Sequence, residues 1–100
     1  MLNEDCVLFN QVVDARVAEV AGEYPTPRER EVLYCRIVLG MSYKAIASEL
    51  VPVLSHRTVR VHTINAAQRL RYARNLPQMR TDLLRAFARA EGVRCMEQGA

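Results

Sequence analysis

The sequence contains few residues that interrupt helices. Of its 100 residues, only four are glycine and four are proline. Half of the residues are hydrophobic and a quarter are charged, a balance that is typical of a soluble globular protein and excludes wholesale disorder. A chain of this length forms one domain. We therefore predict a single, mostly helical domain.

Signals for membrane insertion and for secretion are also missing. No apolar run approaches the roughly 18 residues that a membrane-spanning helix needs. The acidic start, MLNEDC, lacks the basic segment of a signal peptide. We therefore expect a cytoplasmic protein with no membrane partner.

The sequence lacks the side-chain groupings that bind metals or carry out catalysis. Cys6, Cys35 and Cys95 are odd in number and show no CxxC spacing, so neither a disulfide framework nor a zinc site is expected. His56 and His62 do not share a helical face, and no second pair of ligands lies nearby. Paired carboxylates, a Ser/His/Asp set and a phosphate-binding glycine loop are also missing. We predict no metal, no cofactor and no enzymatic activity.

Acidic residues are missing from one long segment. No carboxylate lies between Glu49 and Asp82, whereas six arginines do. The net charge is −3 for residues 1–49 and +6 for residues 50–100. Such a concentration of positive charge indicates a polyanionic partner, although a solvated basic helix face without a partner is the alternative.

Periodicity and capping signals predict two helices in the first half. Apolar residues at 2, 6, 9, 13, 17 and 20 form one helical stripe over Leu2–Ala21, and Gly22 supplies a stop. Thr26 and Glu29 form a capping box around Pro27. The second helix therefore runs from Pro27 to about Leu39, and its predicted buried residues are Val32, Leu33 and either Ile37 or Val38.

Three further helices are predicted in the remainder of the chain. Gly40 can adopt a left-handed conformation, and Ser42 can cap the helix YKAIASEL. Pro52 interrupts that helix, and Ser55 caps a longer one that runs to about Arg74. The predicted inward residues are Ile46, Ala47 and Leu50 in the shorter helix, and Val59, His62 or Thr63, Ala66 and Leu70 in the longer one.

The last helix is predicted to begin at the cap Thr81 and to stop at Gly92, with a frayed tail after it. Three capped helices, with a glycine turn between the first two and the most basic helix last, describe a helix-turn-helix unit. The predicted class is all-α, a three-helix helix-turn-helix core with an additional N-terminal helix and a C-terminal helix. The segments are residues 1–24 for the N-terminal helix and linker, 25–75 for the core, and 76–100 for the C-terminal helix and tail.

The core residues resemble a known family. The segments TPREREVL, GMSYKAIASEL and SHRTVRVH, followed by RL, are similar in order and character to the LuxR/GerE-type DNA-binding domain. The family pattern is roughly T-x-R-E-x-E-V-L, G-x-S-x-K-x-I-A-x-x-L, S-x-x-T-V-K-x-H and a later K-L. The resemblance covers about residues 25–71. It implies binding to double-stranded DNA, association with the nucleoid when bound, and regulation of bacterial transcription.

The chain departs from that pattern in two spacings. Leu33 to Gly40 is one residue longer than usual, and Leu50 to Thr58 is about two residues longer. The usual LGV after the third helix is LRYARNL here, which indicates a longer helix. The segment GMSYKAIASEL also resembles region 4 of sigma-70-type factors, which reads promoter DNA, but the run RTVRVH with His62 favours the LuxR/GerE type.

The candidate DNA-reading face lies on the third helix of the core, at about residues 56–74. If Val59, Ala66 and Leu70 face the core, the helical period turns a second set outward. Arginine can bind guanine, Asn and Gln can bind adenine, and apolar side chains can contact a thymine methyl in the major groove. A buried Ile64 would mean that the helix is rotated. The outward set is Arg57, Arg60, Val61, Ile64, Asn65 and Gln68.

Other candidates flank this face. Ser55 and Thr58 lie at the helix start, where free amides can bind a phosphate. In this arrangement we expect Lys44 and Arg28 to lie toward the flanking DNA backbone. Arg69 completes the candidate set. The resemblance implies that Arg60 and Val61 occupy contacting positions and that Ile64 stands where the family usually has a polar residue.

We expect a small sequence-specific transcription regulator that binds as a homodimer to half-sites about 10 base pairs apart. Family members often pair through a helix after the recognition helix, and the first helix is the competing interface, although both could simply be core. The alternative is a protein-interaction module, an adaptor or anti-activator that binds RNA polymerase or another regulator. The candidate dimer-interface residues are Leu83, Leu84, Phe87 and Ala90 on the last helix and Leu2, Cys6, Phe9 and Val13 on the first helix.

Overall fold

The computed structural model describes residues 3–99, which contain five α-helices and no strand. Helix α1 spans Glu4–Val20, α2 spans Pro27–Leu33, α3 spans Tyr43–Glu49, α4 spans His56–Arg69 and α5 spans Leu76–Gly99, and a π-helical turn at Tyr34–Val38 extends α2. The predicted all-α class and the helix-turn-helix order are confirmed.

A small cluster of buried side chains joins the three central helices. It consists of Val32 from α2, Ile46, Ala47 and Leu50 from α3 and its end, and Val59 from α4. Helix α4 packs against both α2 and α3 through these residues. The inward positions predicted for α3 are confirmed, and the cluster fixes the orientation of α4.

A larger cluster attaches the terminal helices to this unit. Phe9 of α1 is fully buried, and its ring lies edge-on to Tyr34 at 5.9 Å and to Phe87 of α5 at 6.3 Å. Val13 and Val17 continue the predicted stripe of α1 into this core, while Leu2 lies outside the described residues. Helices α1 and α5 therefore pack on the central helices as parts of one core.

Side-chain caps start the central helices where the sequence predicts them. The Thr26 hydroxyl accepts from the Glu29 amide at 3.2 Å, and the Glu29 carboxylate accepts from the Thr26 amide at 3.1 Å. The hydroxyls of Ser42 and Ser55 each accept from the amide three residues on, both at 3.1 Å. These bonds satisfy amides that have no acceptor within the helix.

The π-helical turn accommodates the extra residue between Leu33 and Gly40. The Leu39 amide donates to the Tyr34 carbonyl at 3.2 Å, five residues back instead of the four of an α-helix. The second helix is therefore α-helical only to Leu33, not to about Leu39. Gly40 follows with a left-handed φ of 69°, as predicted, and of the two alternatives it is Ile37 that is buried.

Helix α4 ends at Arg69, not near Arg74 as predicted. Arg71 and Ala73 have φ angles of 64° and 54°, in the left-handed region that a right-handed helix cannot contain. The turn that results buries both Leu70 and Tyr72. The gain in buried apolar surface explains why the chain leaves the helix early.

Helix α5 begins at Leu76, so the predicted start at Thr81 is wrong. The Asn75 side chain accepts from the Gln78 amide at 3.2 Å and caps the helix. Pro77 lies in the first turn, where its missing amide hydrogen has no cost.

The predicted stop at Gly92 and the frayed tail are also wrong, since α5 continues to Gly99. Arg94 lies beyond the glycine, and its guanidinium donates to the Asp5 carboxylate of α1 at 3.1 Å. A glycine inside a helix costs only about 1 kcal/mol, which packing against α1 offsets.

Gly22 lies against the end of α4 and does not itself terminate α1. Ala21 has the left-handed φ of 51°, whereas a Cβ at Gly22 would lie 2.4 Å from the Arg69 carbonyl oxygen. The Glu23 amide donates to the same carbonyl at 2.9 Å. This close backbone approach requires glycine.

We therefore expect Gly22→Ala to lower the free energy of unfolding by about 1–3 kcal/mol, since the added methyl group would push on backbone. Gly92→Ala is the matched control. A Cβ there has no neighbour within 4 Å, so this change should stabilise the chain by up to about 1 kcal/mol. Urea denaturation of both variants measures the difference, and equal effects would contradict the proposed contact.

Candidate nucleic-acid interface

The N-terminus of α4 is exposed and suited to binding an anion. The Ser55 hydroxyl accepts from the Thr58 amide at 3.1 Å and lies 2.9 Å from the Thr58 hydroxyl. The amides of His56 and Arg57 have no acceptor within the helix, because the first amides of any helix lack one. Together with the positive end of the helix dipole, these amides favour a phosphate.

The rotation of α4 follows from its buried stripe. Thr63, not His62, lies inward, and its hydroxyl donates to the Val59 carbonyl at 3.1 Å. Ile64 is half-buried at the edge of the stripe, while Val61 on the outward side is 46% exposed. The buried residues are Val59, Thr63, Ala66, Ala67 and Leu70, and the exposed ones are Arg57, Arg60, Val61, Asn65 and Gln68.

No carboxylate within residues 3–99 neutralises the outward arginines. Residues 50–81 contain no carboxylate, and the ion pairs found within residues 3–99 involve neither Arg57 nor Arg60. Both side chains are exposed. This face therefore carries a positive potential that would attract a polyanion.

The segment before α4 carries further exposed groups. Lys44 is exposed near the start of α3. The Arg28 guanidinium donates to the Val51 carbonyl at 2.8 Å and so ties the turn to α2. Val51 and Val53 are 85% and 72% exposed directly before the Ser55 cap. No motif in the sequence marks these two valines as functional, although the spacing from Leu50 to Thr58 indicates an enlarged turn.

Arg69 lies at the other end of α4, between two carboxylates. Its Nε atom is 3.0 Å from Glu29 Oε1, and its Nη1 atom is 3.1 Å from Glu23 Oε2. Glu29 is only 4% exposed. The guanidinium of Arg69, which the sequence predicts to contact DNA, therefore holds the C-terminal end of α4 in place.

Arg16 of α1 also holds that end. Its Nε atom donates to the Leu70 carbonyl at 3.0 Å, and its guanidinium lies 4.0 Å from the centre of the Tyr72 ring. Burial raises the pKa of Tyr72 to about 12, so the ring stays neutral beneath the cation. Helix α4 is thus fixed at its C-terminus and exposed at its N-terminus.

The family of this chain follows from a match to the core and its flanks. The family model described as bacterial regulatory proteins, luxR family, matches residues 26–79. The match begins at the cap of α2, ends in the first turn of α5 and covers more than half of the chain. The chain belongs to the LuxR family. It is a helix-turn-helix DNA-binding transcription regulator, and DNA is its partner.

The other comparisons add no relative to this LuxR-family chain. The search of curated proteins found no significant match, and the search of solved structures found none.

Most of the predicted dimerisation residues of this LuxR-family chain lie in its own core. Leu83 and Phe87 are buried in the chain's own core, and Ala90 is half-buried against it, because α1 packs along α5. Of the four, only Leu84 is exposed. The competing α1 residues are likewise inward, since Phe9 and Val13 are fully buried and Cys6 is partly buried, while Leu2 lies outside the described residues.

Across residues 3–99, no three His, Cys, Asp or Glu side chains gather as a metal ion would require. None of the helices in that range combines the length and apolarity of a membrane crossing.

The Glu29–Arg69 contact is testable with a conservative change. Glu29→Gln keeps an acceptor for the Thr26 amide but removes the charge that faces Arg69, so we expect a loss of about 1–3 kcal/mol in the free energy of unfolding. The control is Glu23→Gln. Its side chain is 62% exposed, so its loss should be at most about 1 kcal/mol. Urea denaturation showing equal losses would refute the role of Glu29.

Proposed function

We propose that this regulator reads a specific DNA sequence with the outward face of α4 in the major groove. The observation that carries the proposal is that this face presents Arg57 and Arg60 beside Asn65 and Gln68. Neither arginine forms an ion pair with any residue in the range 3–99. A helix fits the major groove, where each base pair displays a distinct pattern of donors and acceptors.

The side chains divide into two roles. Arg57, Arg60, Asn65 and Gln68 bind base edges, with arginine on guanine and the amides on adenine. Val61 packs on a thymine methyl, and Ile64 borders this contact from the edge of the core. Ser55, Thr58, Lys44 and the free amides of α4 bind phosphates and set the position of the helix. Arg69 is not one of the proposed DNA contacts, because Glu23 and Glu29 already hold its guanidinium.

We further propose that two copies bind paired half-sites. Helices α1 and α5 lie side by side, and Val7 and Val93 line a shared groove between them. Val7 is 44%, Val93 55% and Met96 77% exposed. Pairing of this Val7–Val93–Met96 patch with a second copy would remove apolar surface from water, and it leaves α4 of each copy free for DNA.

Gel-shift titration tests the reading face. We expect Arg60→Ala and Gln68→Ala each to weaken specific binding about 5- to 150-fold, the equivalent of about 1–3 kcal/mol per lost base contact. Arg85→Ala on α5 is the matched control, since it removes an exposed arginine elsewhere, and should leave affinity unchanged. Equal losses in all three would refute the proposed face.

The salt dependence provides an independent measurement on the same fragments. If about six basic groups each neutralise a phosphate, the slope of log affinity against log salt should be on the order of −5. Failure to bind any genomic fragment at low salt would instead favour a module that binds RNA polymerase or another regulator.

Light scattering tests the dimer. We expect the wild type to have twice the 11.4 kDa mass of one chain and Val93→Glu to have the mass of one chain, because a carboxylate in the apolar patch would have to be desolvated. Tyr24→Glu is the control, since Tyr24 is an exposed linker residue, 63% accessible. A wild type that stays monomeric on its DNA site would contradict the proposal.

A further inference from the structure

A groove separates α5 from the central helices, away from the outward face of α4. It has a volume of about 880 Å³, and it runs along the exposed side of α5 from Leu76 to Ala88. The opposite wall is formed by Ile37 of the π-helical turn, Tyr43 of α3 and Thr63 of α4. None of the DNA-contacting side chains proposed above lines it.

The floor of the groove is apolar. Ile37 and Met79 are almost fully buried beneath it. Leu76 is half-buried, and Leu84 is 40% exposed. Ala88 continues the floor one turn beyond Leu84. Leu84 is thus an apolar side chain that the chain leaves open to a partner.

The rim of the groove is positively charged. Among the residues that the structure describes, Arg36, Arg80 and Arg85 line it and no carboxylate does. The ion pairs found within residues 3–99 involve none of these arginines. Arg36 is already ordered, because its guanidinium lies 4.6 Å from the centre of the Tyr43 ring and donates to the Met41 carbonyl at 2.9 Å. An ordered charge loses little entropy on binding.

We propose that this groove binds an acidic amphipathic helix of a partner protein. The apolar floor takes the hydrophobic stripe of such a helix, and the three arginines take carboxylates on its flanks. The stretch from Leu76 to Ala88 is about 18 Å long at the rise of an α-helix, which matches about three turns of partner helix. The groove inference is independent of the major-groove proposal.

The same observations argue against other occupants. A DNA backbone supplies the negative charge but has no side chain for the apolar floor. A symmetric pair of this chain would bring Arg80 and Arg85 of both copies into one interface, since such interfaces use the same patch on both subunits. The described lining of the groove supplies no carboxylate to offset these charges. A small molecule would leave much of itself exposed in a groove that is open along its length, whereas small-molecule sites enclose most of the ligand.

Selection from a displayed library of random 16-residue peptides tests the groove without assuming a sequence. We expect the peptides enriched on the full chain to be rich in Asp and Glu, with apolar residues at helical spacing. Binding of synthetic copies, measured by fluorescence anisotropy, should weaken at least about tenfold on the Arg80→Glu/Arg85→Glu variant, where two attractions become repulsions. Leu84→Asn should also weaken it.

The matched control is Arg89→Glu, which reverses an exposed arginine of α5 that lies outside this groove and should leave binding unchanged. Thermal unfolding by circular dichroism checks that each variant is folded. The proposal is overturned if no peptide is enriched, if the enriched peptides lack acidic bias, or if they bind the double variant as well as the wild type.

Two further outcomes assign the groove to another occupant and also overturn the proposal. A double variant that loses DNA affinity as strongly as Arg60→Ala would make the groove a phosphate contact. A double variant whose mass falls from two chains to one would make it a dimer interface. Loss of peptide binding with DNA binding intact supports the groove even if the major-groove proposal fails.

Discussion

The contact between Glu29 and Arg69 links the features on which the proposed DNA-reading surface depends. Glu29 closes the cap of α2 through the Thr26 amide and places the same oxygen 3.0 Å from Arg69 at the end of α4. One nearly buried carboxylate therefore fixes the start of one helix relative to the end of another. A buried charge is tolerated only with such partners.

This constraint explains the asymmetry of α4. Its C-terminal carbonyls are bound by Arg16 and by the Glu23 amide, and Gly22 lets the chain approach them closely. Its N-terminal amides and outward side chains are left to solvent. A helix that is anchored at one end presents its other end in a fixed orientation. DNA binding would therefore cost little entropy for ordering α4. The terminal helices thus hold α4 in place, although they lie outside the proposed reading face.

The sequence predicted most of this architecture, and the errors have physical causes. Caps at Thr26, Ser42 and Ser55 are local signals, and they were found because each depends on residues within one turn. The early end of α4 depends on the burial of Tyr72 by distant residues, and the long α5 depends on Arg94 reaching Asp5. Arg69 was assigned to DNA because its partner Glu29 lies forty residues away in the chain. Contacts between residues that are far apart in the sequence leave no periodic pattern in it, so the sequence alone does not reveal them.

The surroundings of each arginine indicate more about its function than the number of arginines does. Arg16, Arg30, Arg69 and Arg94 each contact a carboxylate or a carbonyl of the chain, so they stabilise the fold. Arg57 and Arg60 lie on a polar outward face, whereas Arg80 and Arg85 rim an apolar groove. Since the charge is the same, we expect the neighbouring surface to decide which partner each group binds. The side-chain amides beside Arg57 and Arg60 suit a base edge, and the free backbone amides at the start of α4 suit a phosphate. The exposed leucine beside Arg80 and Arg85 suits the apolar stripe of a partner helix.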